Sequence, residues 1–275
     1  KSIHIPGLEV DFDDLTVKDK RDITVAKKLG CNWIALSYVK NSKIIKQTRK
    51  LIPQDTGIIA KIENKSAIKN IKDIINTSDA IMVARGDLAV EIGANEVPHV
   101  QLDIVKKCSE LGKPVIIATQ MLESMIESNK PTRAEINDVG TAVFQGADVV
   151  MLSAETAVGK YPLQAVQAMK KTIVSTEKYK KENIAAFKSN IKINNEPVKA
   201  IALAIKDIAY NIKVEAIIGF SVTGNTAKLI SAIRPSAKII TISPHINISR
   251  QLSLLWGITS ITNSDAKNWR QMMKI

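Results

Sequence analysis

The chain has 275 residues, of which 45% are hydrophobic and 24% charged, a composition typical of a folded globular protein of one or two domains. Two cysteines are too few for a disulfide framework, and we interpret Cys31 and Cys108 as small buried hydrophobic residues. No apolar run approaches the roughly 20 residues of a membrane-spanning helix. These features exclude a disordered tail, a collagen, a disulfide-rich secreted protein and a membrane channel.

The net charge of +12 points first to an anionic partner. Only seven of the 39 basic residues are arginines, the lysines are scattered, and aromatic residues make up 4% of the chain. Nucleic-acid surfaces combine basic clusters with aromatic rings on which bases stack. We therefore expect a lysine-rich solvated surface and no nucleic-acid partner. A basic face that gathers anionic metabolites is the alternative.

The first residues, 1–7, show neither a start methionine nor a signal peptide, and they are typical of a loop that enters a domain. We therefore expect the chain to be a fragment of a longer protein. From residue 18 onward, helix-like and strand-like segments alternate. Helical spacing predicts helices at residues 19–29, 42–52, 66–75, 96–111, 132–145 and 162–180.

Short apolar runs between these helices predict five strands that are buried on both faces. They lie at residues 33–39, 58–62, 80–83, 114–118 and 149–152. Strands that alternate with helices form a parallel sheet, which is either open or closed into a (β/α)8 barrel.

Polar residues follow the carboxyl ends of four of these strands, and their distribution favours the barrel. They are Lys61, Glu63, Arg85, Asp87, Thr119, Gln120, Ser153 and Glu155. A barrel gathers such positions from many strands around one mouth, whereas an open sheet concentrates its chemistry at one switch point. Five strands cannot close a barrel, so we expect about three more strands upstream.

The alternation stops at residues 181–197, a polar linker, and a second α/β unit follows. Its predicted helices are at residues 198–211, 226–233 and 248–256, and its predicted strands are at residues 215–220, 238–243 and 258–261. We therefore predict two domains. Residues 1–184 form a partial TIM-barrel catalytic domain, and residues 185–275 form a smaller, incomplete α/β domain.

Four residues carry the strongest chemical signal: Lys61, Glu63, Asp87 and Thr119. Because strand side chains alternate, Lys61 and Glu63 point to the same side at a strand's end. Carboxylates from neighbouring strands suit Mg²⁺, which can hold the oxygens of a phosphorylated or enolic substrate. Lys61 adds a positive point charge, and Thr119 adds a hydroxyl that donates or accepts a proton. On spacing alone, a plain ion pair between Lys61 and Glu63 stays an open alternative.

Two further features point to anions. Gly86 allows a ligand to approach the backbone closely. The loop at residues 221–226 opens a predicted helix, whose amino terminus can bind an anion. Its candidate binding residues are Ser221, Thr223, Gly224, Asn225 and Thr226. Such residues also serve as helix caps, so the two interpretations of this loop stay open.

Five motifs of the chain resemble the pyruvate kinase family. They are KIEN at residues 61–64, MVARGDL at 82–88, ATQMLESM at 118–125, PTRAE at 131–135 and MLSAETA at 151–157. The resemblance spans nearly the whole chain, with the motifs in the order of the family.

The resemblance implies transfer of the phosphoryl group of phosphoenolpyruvate to ADP, giving pyruvate and ATP in the last step of glycolysis. It implies that Lys61 stabilises the phosphoryl and enolate charge and that Glu63 and Asp87 bind Mg²⁺ or Mn²⁺. It further implies that Thr119 and the backbone at Gly86 and Asp87 hold the substrate, with Thr119 on the path that protonates enolpyruvate.

The resemblance also implies K⁺, whose ligands would lie outside this chain, a cytoplasmic homotetramer and a sugar-phosphate effector bound at residues 221–226. The lid domain of the family and its first three βα units are absent, so only a full-length chain is expected to be active. Ala89 and Ala154 stand where the family usually has glycine, which would strain the backbone if either position had a positive φ.

Two other functions remain open at this point. One is a metal-dependent enolate lyase on the same barrel, such as an aldolase, which would share the two carboxylates. The other is a binding protein without catalytic activity.

Overall fold

A computed structural model describes residues 15–183, 196–212, 214–265 and 269–272. Its first part contains a five-stranded parallel sheet in which each strand pairs with the next along the chain. The strands are β1 (Trp33–Leu36), β2 (Gly57–Ile62), β3 (Ala80–Ala84), β4 (Val115–Ala118) and β5 (Val149–Met151). Five consecutive parallel strands in chain order are the arrangement of a β/α-barrel segment, so the predicted fold class is confirmed.

Helices connect these strands and cover one face of the sheet. They are α1 (Val17–Lys28), α2 (Ser42–Arg49), α3 (Lys65–Lys69), α4 (Ile71–Thr77), α5 (Arg85–Ile92), α6 (Val97–Glu110), α7 (Arg133–Gln145), α8 (Ala154–Ala157) and α9 (Pro162–Asn183). The helix predicted at residues 66–75 is two helices that meet at Asn70. Helices α5 and α8 were not predicted, because α5 has no clear apolar stripe at helical spacing and α8 has only four residues.

The alternation of strand side chains divides the sheet between two apolar clusters. Ile58, Ala60 and Ile62 belong to the large cluster under the helices. Ile59 belongs to a smaller cluster on the opposite face. Because the period of a strand is two, Lys61 follows Ile59 on this second face, which is the interior of a barrel.

Gly57 at the start of β2 makes room for the indole ring of Trp33 on β1. A Cβ atom at Gly57 would lie 2.2 Å from ring carbon Cε3 of Trp33. Real side chains never approach so closely, so only glycine allows the tryptophan to lie against this strand.

The second unit is a three-stranded parallel sheet of β6 (Ala216–Phe220), β7 (Lys238–Ser243) and β8 (Ile258–Thr262). Its helices are α10 (Glu196–Asn211), α11 (Asn225–Ala232), α12 (Ile246–Leu252) and α13 (Trp269–Met272). The predicted boundary after residue 184 lies outside the described residues, as does most of the predicted linker, although α9 continues to Asn183.

The second unit contacts the five-stranded sheet at the amino-terminal ends of that sheet's strands. Gln251 Nε2 donates to the carbonyl oxygen of Asn32 at 3.0 Å, and Leu254 packs into the interior cluster. Arg234 Nη2 lies 2.8 Å from Asp148 Oδ1. Asn32 and Asp148 each precede a strand, so this contact lies at the end of the sheet opposite the polar carboxyl ends.

The two cysteines differ in burial. Cys108 is buried, as predicted, but Cys31 is exposed, because it lies in the turn after α1 and not on the packed face of a helix or strand. None of the described helices combines the length and the hydropathy that a membrane crossing requires.

Candidate active site

Lys61 and Glu63 form an ion pair at the carboxyl end of β2. Lys61 Nζ lies 2.7 Å from Glu63 Oε1 and donates to Ser37 Oγ at 2.9 Å. Leu36 pairs with Ala60 in the sheet, so Ser37 is level with Lys61. The Lys61 side chain is 24% exposed. Its ammonium group therefore has two fixed oxygen partners and an open side toward solvent.

Glu63 is almost completely buried, with 1% of its surface exposed. Its Oε2 accepts the backbone N–H of Tyr38 at 2.6 Å, while Oε1 faces Lys61. Tyr38 has a φ of 54°, and its amide is directed at the carboxylate. A buried carboxylate needs such partners, because desolvation of an unpaired charge is costly. Glu63 is thus held in place from two strands.

Asp87 lies in the first turn of α5, directly after β3, and is exposed. Burial raises the pKa of the Tyr38 hydroxyl, and the carboxylates of Asp87, Glu63 and Glu91 raise it further. Glu63 follows β2 and Asp87 follows β3, and these two strands are paired neighbours in the sheet. The two predicted metal ligands therefore lie after the carboxyl ends of adjacent strands.

Thr119 directly follows β4, and its hydroxyl bridges two backbone groups. Oγ1 accepts the N–H of Gly86 at 2.8 Å and donates to the carbonyl oxygen of Ala118 at 2.6 Å. Ala84 pairs with Ala118 across β3 and β4, which brings the start of α5 beside Thr119. The hydroxyl must rotate away from Ala118 before it can donate to a ligand.

Gly86 has space around its α-carbon. A Cβ atom there would meet Thr119 Oγ1 at 3.5 Å, an ordinary contact. The protein's own packing therefore does not demand glycine at this position. The missing side chain leaves room for a ligand to approach the start of α5.

Thr119 and Gln120 both have left-handed backbones, with φ values of 68° and 53°. Such conformations cost on the order of 1–3 kcal/mol each in non-glycine residues. The Arg85 guanidinium donates to both of their carbonyl oxygens and pairs with Asp138 at 2.6 Å. The sequence pattern indicates Arg85 only as a polar residue after a strand and gives no sign of this network.

Two more carboxylates hold the segment after Thr119. Glu155, which is 2% exposed, accepts the N–H of Leu122 at 3.2 Å. Glu135 accepts the N–H of Ser124 at 2.7 Å and its hydroxyl at 2.6 Å. Partial burial opposes ionisation of Glu135, but the hydrogen bonds that it accepts are stronger and lower its pKa. The loop after β4 is therefore anchored by charged groups from several elements.

Within the described ranges, no three His, Cys, Asp or Glu side chains converge on a common metal position. Glu63 and Asp87 supply two carboxylates, and each carboxylate oxygen has two lone pairs, so Glu63 keeps acceptor capacity beside its two contacts. Mg²⁺ is commonly held by one or two carboxylates together with substrate oxygens and water. This donor set fits Mg²⁺ that binds together with an anionic substrate.

The two alanines that replace glycine cause no backbone strain. Ala89 lies within α5 and Ala154 within α8, and the described residues with positive φ do not include them. Both positions are helical, where alanine is the more favourable residue.

The loop after β6 ends at Gly224, the residue before α11, with a φ of 83°. No side chain caps the first turn of α11. Ser221 is buried, and the other polar side chains of the loop, Thr223, Asn225 and Thr226, are exposed. Side-chain capping, one of the two interpretations of this loop, is therefore absent from the structure.

Parallel βα units with charged groups at the carboxyl ends of the strands define a protein of the β/α-barrel class. Residues 1–166 match the family model of the pyruvate kinase barrel domain, and residues 199–275 match that of the pyruvate kinase alpha/beta domain. The chain belongs to the pyruvate kinase family, a family of phosphotransferases, as its motifs predicted.

Similar proteins agree with this assignment. A pyruvate kinase of Agrobacterium vitis is 42% identical over 271 residues, which cover 98% of this chain and 57% of that protein. A pyruvate kinase of Sporosarcina psychrophila is 39% identical, over 100% of this chain and 47% of the relative. A solved pyruvate kinase structure from Cryptosporidium parvum has a TM-score of 0.91 and 36% identity, over 98% of this chain and 57% of that one. The chain thus spans about half the length of these relatives.

Proposed function

We propose that the whole protein of which this chain is part transfers the phosphoryl group of phosphoenolpyruvate to ADP, giving pyruvate and ATP. The main support is the Lys61 ammonium, which Ser37 and Glu63 hold at the open end of the sheet. Thr119 and the start of α5 lie on the neighbouring strand ends. Membership of the pyruvate kinase family agrees with this reaction.

The reaction breaks the bond between phosphorus and the enol oxygen of phosphoenolpyruvate and forms a bond to a terminal phosphate oxygen of ADP. Negative charge develops on the enol oxygen and on the transferring group, and positioned positive charge lowers the barrier. Lys61 supplies such a charge. Because Ser37 and Glu63 already hold its Nζ, little reorganisation is needed when the substrate binds.

The enolate that remains must take a proton at its terminal carbon to become pyruvate. We assign Thr119 to this proton path, since its hydroxyl lies at the carboxyl end of β4 beside Gly86. Its hydrogen is engaged by Ala118, so rotation of the hydroxyl precedes proton donation. The backbone at Gly86 and Asp87, together with Thr119, is the proposed substrate cradle.

We assign Glu63 and Asp87 as ligands of Mg²⁺ or Mn²⁺. The bound ion would supply positive charge that orients substrate oxygens. K⁺ is also proposed, with ligands outside this chain. Of the chain's own residues, Glu63 would orient both Lys61 and the ion, because its carboxylate is fixed by the Tyr38 amide.

An assay of the full-length protein with phosphoenolpyruvate, ADP and Mg²⁺ tests the proposed function, and we expect pyruvate and ATP in equal amounts. The isolated 275-residue chain, assayed beside it, is expected to be inactive. Cleavage of aldol substrates without pyruvate formation from phosphoenolpyruvate would instead support the enolate lyase. Binding of phosphoenolpyruvate with no turnover of either substrate class would support the binding protein.

We further propose that residues 221–226 bind the phosphate of a sugar-phosphate effector. The uncapped start of α11 and the exposed Thr223 and Thr226 hydroxyls support this assignment. A sugar bisphosphate added to the same assay should raise activity at low phosphoenolpyruvate. Thr226→Val should weaken that response about tenfold while the activity without effector is unchanged. An equal response in Thr226→Val would contradict the assignment.

The proposed domain boundary lies after residue 184.

The proposed assembly is a cytoplasmic homotetramer. Large apolar side chains are exposed on α7 and α9, namely Phe144, Leu163, Val166 and Val174. Exposed apolar side chains on two neighbouring helices are typical of a surface that another subunit covers.

A further inference from the structure

The Arg85 side chain occupies an unusual position between two elements of the site. Its side chain is 8% exposed, so the guanidinium is withdrawn from solvent although it follows directly after β3. A buried guanidinium keeps its charge and needs a hydrogen-bond acceptor for each of its donors. The groups that satisfy Arg85 therefore show what the residue holds together.

Two of these groups are the successive carbonyl oxygens of Thr119 and Gln120. Arg85 Nε and Nη2 donate to Thr119 O at 3.2 and 2.8 Å, and Nη2 also donates to Gln120 O at 2.9 Å. Both residues have positive φ values without being glycine. A backbone in this conformation persists only where the surroundings hold it.

The opposite side of the guanidinium is anchored on α7. Arg85 Nη1 lies 2.6 Å from Asp138 Oδ2 and 2.8 Å from Oδ1. A planar guanidinium can bridge a carboxylate and two carbonyl groups at once, whereas an ammonium group is a single point charge. Arg85 thus connects α7, the start of α5 and the backbone that carries the Thr119 hydroxyl.

We propose that Arg85 is a positioning residue that holds Thr119 and Gln120 in their left-handed conformation and so places the Thr119 hydroxyl for proton transfer. The proposal rests on the proposed function, in which Thr119 lies on the proton path. Arg85 is also connected to the Thr119 hydroxyl through the backbone. Thr119 Oγ1 accepts a hydrogen bond from the N–H of Gly86, the residue next to Arg85. The side chain and the following amide therefore hold the same threonine at two points.

Arg85→Ala and Arg85→Lys in the full-length protein test this role. We expect Arg85→Ala to lower kcat about 100-fold, because a displacement of about 1 Å at a reacting group has that effect. The KM for phosphoenolpyruvate should change less than kcat. Arg85→Lys keeps the charge but loses the planar guanidinium with its several N–H donors. Its kcat should therefore also fall at least about tenfold while the protein stays folded. Normal kcat in Arg85→Lys would overturn the proposal.

Arg49→Lys is the matched control. Arg49 likewise pairs with a carboxylate, Asp79, and donates to a carbonyl oxygen, that of Thr56, at 2.7 Å. These contacts lie at the amino-terminal ends of β2 and β3, away from the site. The kcat of the Arg49→Lys variant should therefore equal that of the parent protein. A similar fall in kcat for both lysine variants would mean that the loss at Arg85 is general and would overturn the positioning role.

Chemical rescue provides a readout that a merely structural role would not move. Methylguanidinium at millimolar concentration should raise the kcat of Arg85→Ala at least about tenfold, since it replaces the missing guanidinium group. Methylammonium at the same concentration should not. Absence of rescue in a folded Arg85→Ala protein would count against the proposal.

A double-mutant cycle with Thr119→Val separates this proposal from the proposed function. If Arg85 acts through the Thr119 hydroxyl, Arg85→Ala should lower kcat by less than about fivefold once that hydroxyl is absent. A full 100-fold loss in the Thr119→Val background would overturn the Arg85 proposal alone. Wild-type kcat in Thr119→Val would overturn the role of Thr119 and the Arg85 proposal with it.

Discussion

Replacing Lys61 with methionine in the full-length protein is expected to lower kcat by about 1,000-fold or more. The ammonium is the positive charge that the chain itself places at the open end of β2, between Ser37 and Glu63. Methionine has a similar length and no charge, so the substitution removes electrostatic stabilisation of the transferring phosphoryl group and the enolate. The rate of pyruvate formation at saturating substrates measures the effect.

The same substitution leaves Glu63 without its ammonium partner. Because this carboxylate is 1% exposed, the free energy of unfolding should fall by up to about 3 kcal/mol. Lys61→Arg separates the two effects, since it keeps a cation beside Glu63 but moves the charge. We expect its thermal midpoint to stay near that of the parent while kcat falls about 100-fold.

Lys69→Met, which changes an exposed lysine on α3, is the control for loss of charge and should leave kcat unaltered. Retention of most of the parental kcat in Lys61→Met would show that Lys61 has only the role of an ion-pair partner for Glu63.

The second large effect is expected on metal affinity. Asp87→Asn should weaken Mn²⁺ binding to the full-length protein at least about 10- to 100-fold, because the amide lacks the negative charge that a hard cation prefers. Asp87 is exposed, so its replacement should not disturb folding. Electron paramagnetic resonance of free Mn²⁺ measures this affinity without reference to activity.

Glu91→Gln is the matched control for Asp87. Glu91 is a carboxylate on the same helix, and like Asp87 it raises the pKa of the Tyr38 hydroxyl. Its replacement should leave Mn²⁺ affinity within about twofold of the parent if the ligand assignment is correct, since only first-turn Asp87 is assigned as a ligand. Equal losses in the two variants would indicate general attraction of the cation, and an unchanged affinity in Asp87→Asn would remove Asp87 from the metal site.

The elements with a strong pattern were predicted closely. The strand predicted at residues 238–243 is β7, and the helix predicted at residues 132–145 is α7, shorter by one residue. An apolar run between Pro235 and Pro244 sets the limits of β7, and helical spacing behind a Thr-x-x-Glu capping box sets those of α7. Glu135 belongs to this capping box. It also accepts a hydrogen bond from the N–H of Ser124, which the spacing of the sequence does not reveal.

The sequence by itself determined the parallel α/β class, the positions of Lys61, Glu63, Asp87 and Thr119 at the carboxyl ends of their strands, and the family. These follow from local periodicity and from motifs that are continuous in the chain. Only the tertiary structure decided that Ser37 and Tyr38 hydrogen-bond to the Lys61–Glu63 pair. It also decided that Arg85 donates to the carbonyl oxygens of Thr119 and Gln120. These contacts join residues 24 to 35 positions apart, and their geometry depends on strand register and backbone φ, neither of which any local pattern encodes.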